Sequence, residues 1–208
     1  MQLRPSFPVV TGRLRLRPLE ESDADGVVAY RSRPDVCRYV PLEPMDHESV
    51  TRDIGGRWAN REIVDEGDSL LMGAELAATG QIIGDVSLWL RSIEHRTGEV
   101  GWILHPDFSG HGYATESVHA LLHLAFDRLG LHRVVARVDA RNDASLRLAA
   151  RLGMRQEAHL VANEWFKGEW TDEIDFGLLG GEWDAQHRSD APKWCASPGE
   201  SRAAPVMG

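Results

Sequence analysis

A short glycine turn set against one amphipathic helix limits what this chain can fold into more than any other feature. Ser109-Gly110-His111-Gly112-Tyr113-Ala114 follows a strand-like run and leads into Val118, Leu121, Leu122, Ala125, Phe126 and Leu129. These apolar residues recur at helical spacing, so a helix over Tyr113 to Leu129 turns one stripe toward a core, and Gly130 stops it. The segments before the turn have another period. Ser69 to Leu76, Gln81 to Leu90 and Glu99 to Pro106 are strand-like, and no helical pattern separates them. Strands joined in this way form an antiparallel meander. Beyond the helix lie a strand at Arg133 to Val138 and a short helix at Ala144 to Leu152 closed by Gly153. Two last strands, about Gln156–Phe166 and Thr171–Leu179, bracket the turn Lys167-Gly168-Glu169-Trp170. The pattern predicts an α/β protein with a mixed, mostly antiparallel sheet.

The N-terminal part is built around Arg13 to Arg17, an alternating, half-buried strand ended by Pro18. Glu20, Glu21 and Asp23 crowd the start of a helix that runs to about Arg31, where acidic groups suit the helix dipole. A link with Pro34, Pro41 and Pro44 follows, then a helix from His47 to about Val64 that contains Gly55-Gly56. Periodicity fades from Gly180. The 208 residues therefore divide into one domain, 1–183, and a tail, 184–208, flexible or docked through Trp183 and Trp194. No run of about 18 apolar residues is present, and MQLRPSFPVV lacks a signal-peptide core, so a cytoplasmic protein away from membranes is expected. Lys and Arg total 23 against 32 Asp and Glu, a net charge of −9, which disfavours duplex nucleic acid as a partner. Cys37 and Cys195 form no metal-type or redox pair.

Glycines ahead of a helix N-terminus let backbone amides approach an anion, most naturally a diphosphate. A plain tight loop explains the glycines equally well. Of two ligand classes, a dinucleotide fits poorly although Asp139 ends the next strand. Thr115 stands at the third glycine position of that fingerprint, and a meander precedes the turn instead of a βα alternation. The other class is coenzyme A. The run GWILHPDFSGHGYATESV, then Asn142-Asp143-Ala144-Ser145 and Leu152-Gly153-Met154, resembles the GCN5-related N-acetyltransferase (GNAT) superfamily. TGRLRLRPLEESDADGV and KGEWTDEIDFGLL resemble its ribosomal-protein acetyltransferase-like branch. The likeness spans about residues 11 to 180.

The resemblance implies a central sheet splayed at its middle, with helices on both faces, and acetyl-CoA as co-substrate without a metal. It implies that Trp102, Ile103 and Leu104 hold the pantetheine arm through backbone groups. Gly110, His111, Gly112, Tyr113, Ala114 and Thr115 would wrap the diphosphate, and Asn142 and Ser145 would lie beside the thioester. Ser109 departs from the Gln or Arg usual at the start of that turn, but an amide nest does not need the side chain. The branch also implies a homodimer. The acceptor would be a primary amine: a protein N-terminus, an amino acid, a polyamine or an aminoglycoside.

An amine attacks a thioester only when neutral, so a base must take its proton. Glu99, at the start of the central strand, is the carboxylate candidate; a solvated strand end is the plainer explanation of it. Many relatives carry a tyrosine seven residues after the motif asparagine, where this chain has Ala149, so Ser145 becomes the expected proton donor to the leaving sulfur unless it only caps its helix. Neither cysteine suggests an acyl-enzyme. The alternative is a non-catalytic acyl-CoA-binding domain of the same fold. Glu116, His119 and His123 share a helix face, read as an exposed polar face in preference to a zinc site. His159, Asn163 and Trp165 either line the acceptor cleft or follow ordinary strand alternation. Arg147 and Arg151 reach nucleotide phosphates or are solvated.

Overall fold

The computed structural model describes residues 1–187. Its strands are β1 (Val9–Val10), β2 (Leu14–Arg17), β3 (Ser69–Leu76), β4 (Ile82–Ser92), β5 (Thr97–Leu104), β6 (Arg133–Asp139), β7 (Arg155–Phe166) and β8 (Glu169–Leu179). They form one sheet in the order β1-β2-β3-β4-β5-β6-β8-β7. All neighbours run antiparallel except β5 and β6. The helices are α1 (Ala24–Arg31), α2 (Pro34–Cys37), α3 (His47–Gly55), α4 (Tyr113–His123), α5 (Asp143–Arg151) and α6 (Gly180–His187). A parallel pair needs a crossover, and α4 supplies it between β5 and β6.

Helices cover both faces. Val27 and Tyr30 of α1 and Val50 and Ile54 of α3 pack with Leu71 and Ile82. On the opposite face Val118, Leu121 and Leu122 of α4, Leu148 of α5 and Trp183 of α6 share a core with Leu70, Met72, Leu88 and Leu178. Successive β3 residues point to opposite faces, so Leu70 and Met72 serve one core and Leu71 the other. With helices on each side, the strand is buried along nearly its whole length.

The sheet parts between β5 and β6. They pair only at Thr97↔Arg133, Gly98↔Val134 and Glu99↔Val135. Beyond that point β5 follows β4 as far as Leu104↔Gly84, while β6 follows β8 to Asp139↔Glu173. The backbone groups of residues 100–104 that face the gap have no strand partner there. The splayed α/β architecture expected from the resemblance is thus present.

Three local expectations change. The helix beginning at His47 ends at Gly55, not near Val64: Gly56 leaves helical geometry and the Trp58 amide folds back to the Asp53 carbonyl at 2.8 Å. The long helix is α only to His123 and continues as a π-helical turn over Leu124–Arg128. The helix α6 runs across the boundary expected at residue 183, and the buried Trp183, one of the two residues expected to dock the tail, sits beside Phe126. Trp194 and Cys195 lie outside the described residues. The antiparallel run β3-β4-β5 also removes the dinucleotide reading, which requires alternating βα units. No described helix is long and apolar enough to cross a membrane.

Candidate active site

The glycine turn has the backbone that its sequence demands. Gly110 and Gly112 both have φ of 80°, a left-handed conformation that side chains disfavour. Gly112 is the N-cap of α4, so the next amides belong to a first helical turn and lack intrahelical acceptors. Strand β2 and its approach hold the turn from behind. Arg13 donates from Nη1 to the His111 carbonyl at 2.8 Å and from Nε to Glu116 Oε2 at 2.7 Å. The Arg13 amide and the Thr11 hydroxyl donate to Glu116 Oε1 at 2.8 and 2.6 Å. Burial pushes the Glu116 carboxyl up, but Thr11 and Arg13 together outweigh it and hold the group below its ordinary range. Glu116 is therefore an anchor of the turn, and Arg13 spends its charge on that anchor. Neither role was visible in the alternation of Arg13 to Arg17.

A cleft of about 1340 Å³ opens between the turn and the parted strands. All the residues expected to touch coenzyme A line it: Trp102, Ile103 and Leu104, the turn from Gly110 to Thr115, and Asn142 with Ser145. Arg147 and Arg151 line it too, and Arg151 Nη1 donates to Thr115 Oγ1 at 3.2 Å. Asn142 caps α5, its side-chain oxygen accepting the Ser145 amide at 3.1 Å. Ser145 Oγ in turn accepts from Trp102 Nε1 at 3.1 Å, across the gap in the sheet. That bond uses a lone pair and leaves the hydroxyl proton available for donation.

A second cavity, of about 440 Å³, lies beside the first, and Tyr39, Trp102, Asn142 and Ser145 line both. Its polar wall includes a buried group in which Asp85 accepts from Arg31 (2.7 and 3.0 Å) and from the Tyr30 hydroxyl (2.6 Å). Glu99 lines this cavity at the point where β5 and β6 separate, and Arg91 Nε occupies its Oε2 at 2.9 Å. Glu173 of β8, only 7% exposed, lines it as well. Burial first, then the charges of Glu164 and Asp175, push the Glu173 carboxyl up to about 7, against the opposing pull of Arg137. Asn163 Nδ2 donates to Glu173 Oε1 at 3.2 Å. Glu173 was missed from sequence. The available signal was alternation along β8, which turns Thr171 and Glu173 inward together, and a carboxyl at an inward strand position is costly enough to need a reason.

Other expectations resolve as follows. His123 is 1% exposed and His119 packs tilted against Trp183 and edge-on against His187, so their face is not a solvated one. The cause is α6: Trp183 packs edge-on against His123 and donates from Nε1 to Asp127 Oδ1 at 3.1 Å. Among the described residues no cluster suited to a metal is found. None of the trio His159, Asn163 and Trp165 lines either space: His159 pairs with Asp172 at 2.8 Å and Asn163 with Glu173 at 3.2 Å, both partners being wall residues of the small cavity, and Trp165 is exposed against Trp170.

A sheet parted beside an amide-rich turn, with a large cleft and a small cavity that share Tyr39, Trp102, Asn142 and Ser145, fits the acyl-CoA-dependent N-acyltransferase class of enzyme. The chain belongs to the acetyltransferase (GNAT) domain family, whose model matches residues 13–155. It is 29% identical over 176 residues to the uncharacterized N-acetyltransferase YnaD of Bacillus subtilis, covering 85% of this chain and 99% of that protein. It is 24% identical over 176 residues to the spermidine N(1)-acetyltransferase of Escherichia coli, covering 85% and 91% of the two chains. Among solved structures it matches a GNAT-family acetyltransferase from Bacillus anthracis at 27% identity and a TM-score of 0.73, covering 88% of this chain and all of that one.

Proposed function

We propose that the protein moves an acetyl group from acetyl-CoA directly to a primary amine, of a small molecule or a protein N-terminus, with both substrates bound together. The observation that carries this reading is the junction at Trp102 and Ser145, where the large cleft opens onto the small cavity. The residues present fit the co-substrate: two left-handed glycines clear the approach to the turn, and β5 offers unpaired backbone groups along the gap. When bound, acetyl-CoA supplies an activated acyl group as a thioester. The first-turn amides after Gly112 hold its phosphates, aided by Arg147 and Arg151. The backbone of Trp102 to Leu104 aligns the arm along β5. Ser145 Oγ, oriented by Trp102 Nε1, offers its proton to the leaving sulfur.

The base belongs on the acceptor side. A carboxyl near pH 7 in affinity for protons is suited to taking one from an ammonium at neutral pH, and Glu173 has that property. Glu99, the candidate from sequence, faces the same cavity with one oxygen committed to Arg91. Cys37, buried at the end of α2, lines neither space, which accords with transfer that forms no acyl-enzyme. A homodimer working in the cytoplasm accompanies this reading. The test is steady-state kinetics with acetyl-CoA and a panel of amines for the wild type, Glu173→Gln and Glu99→Gln. Glu173→Gln should lower kcat by ~10²-fold, as for lost general-base help, with coenzyme A affinity unchanged. A loss of that size in Glu99→Gln instead would move the base to Glu99. Coenzyme A binding without turnover of any amine would favour the non-catalytic alternative.

A further inference from the structure

Resting on that reading, we propose that Lys167 fixes the size of the acceptor by fastening a roof over the small cavity, so that compact amines enter and polypeptide N-termini do not. The roof comes from two segments remote in sequence. Tyr39, Val40, Pro41 and Leu42 form one wall of the cavity, and Glu164 and Phe166 from the β7–β8 hairpin form the wall that meets it. Strand β7 is shaped to reach across. Its pairing with β8 jumps from Leu160↔Glu173 to Glu164↔Thr171, leaving Val161, Ala162 and Asn163 opposite Asp172 alone. Ala162 has φ of 48°, and its amide donates to Asp172 Oδ1 at 2.8 Å, which fixes the bulge. A bulge bends its strand, here carrying the hairpin tip toward the 37–42 segment.

At the tip, Lys167 and Gly168 make a tight turn with positive φ at both residues. Lys167 Nζ donates to the carbonyl of Cys37 at 2.7 Å and to that of Leu42 at 2.9 Å. One ammonium thus ties both ends of the segment that walls the cavity to the hairpin that covers it. Arg141, bonded to Asp139 on β6 and to Glu169 at 2.5 Å, steadies the hairpin from its other side. A space of about 440 Å³ suits a small ligand. A peptide would need the two walls to separate, and separation breaks both Lys167 bonds.

Cys37 reports on this latch. The residue is 2% exposed and its thiol donates to the Arg31 carbonyl, so reagents reach it only when the segment lifts. Burial raises the thiol above its ordinary value, and the nearby Lys167 charge opposes that rise. Removing that charge would slow alkylation electrostatically, so faster alkylation signals opening.

The experiment compares wild type, Lys167→Met and Lys167→Arg in the full chain. Met keeps the apolar stem beside Phe166 and removes the ammonium; Arg keeps a charged donor. Iodoacetamide labelling of Cys37 is followed on its own tryptic peptide, and kcat/KM is measured for n-butylamine and for a hexapeptide with a free N-terminus. Thermal melting and coenzyme A titration check that each variant is folded. In Lys167→Met, Cys37 labelling and the hexapeptide-to-butylamine ratio should each rise at least about tenfold, the lower bound set by losing even one hydrogen bond to a charged group, and Arg should restore most of both. Unchanged labelling overturns the latch, and faster labelling with an unchanged ratio overturns its role in sorting acceptors. If wild type acetylates no amine of either size, the acyl-transfer reading fails and the sorting role with it, while Cys37 labelling still decides the latch.

Discussion

Glu173 offers a prediction in which stability and activity move in opposite directions. Its ordinary value is near 4.5, and in the folded chain it lies at about 7. Between these values the folded protein holds a proton that the unfolded chain has lost, so stability falls as pH rises through that window and is lowest above it. A shift of this size costs the charged, folded state about 3 kcal/mol, and about half of that once solvent screening through the open cavity is allowed for. Gln keeps the shape and the bond from Asn163 without the charge. Glu173→Gln should therefore be more stable than wild type at pH 8 by roughly 1–2 kcal/mol, a Tm gain of about 2–8 °C for a chain of this size. At pH 4, where both forms are neutral at this position, the gain should vanish. Calorimetry or urea unfolding at the two pH values measures it. In parallel, kcat/KM of the wild type should carry an acidic limb near pH 7 that the variant lacks. An equal stability gain at both pH values, or none at pH 8, would refute the assignment of a buried, charge-crowded carboxyl.

Other perturbations have equally definite outcomes. Gly112→Val forces a β-branched residue into φ of 80° at the α4 N-cap. It should weaken coenzyme A binding by tenfold or more in a calorimetric titration, at a conformational cost of about 1–3 kcal/mol; equal affinity would remove the turn as the phosphate site. Asp85→Asn leaves Arg31 buried without its counter-ion, so urea unfolding should show a loss of about 3–5 kcal/mol, and a loss below about 1 kcal/mol would contradict a closed, unsolvated pair. Ser145→Ala should lower kcat less than Glu173→Gln does, because water can replace a hydroxyl donor; a larger loss in stopped-time assays would make Ser145 the dominant proton-transfer group.

The features carried by local pattern were legible from sequence. The β3-β4-β5 meander and the apolar stripe of α4 follow from periodicity and appear where expected, and the sharp turn expected of Gly110 and Gly112 is made with a left-handed backbone at both. The cleft residues Trp102 to Leu104 and Asn142 with Ser145 came from the family resemblance, since no spacing rule joins β5 to α5 across a parted sheet. What stayed hidden depends on contacts between distant segments. Arg13 looks like half of a strand alternation until Glu116 is placed beside it, 103 residues away. The His119–His123 face looks solvent-bound until α6 covers it, and α6 itself has too weak an apolar pattern to announce a helix. Glu173 is turned inward by alternation along β8, a signal that an ordinary-looking hairpin hides, and Lys167 gains its partners only when the 37–42 segment arrives beside the hairpin tip.

The central claim is direct acyl transfer at the junction of the two cavities. Mass spectrometry of a reaction containing the full chain, acetyl-CoA and n-butylamine tests it most directly, with the protein itself analysed in the same sample after a brief incubation with acetyl-CoA alone. The predicted result is N-acetylated amine formed in equal amount to free coenzyme A, with the protein mass unchanged in the absence of amine. Coenzyme A release without acetylated amine, or an acetyl group carried covalently on the protein before amine is added, would contradict it.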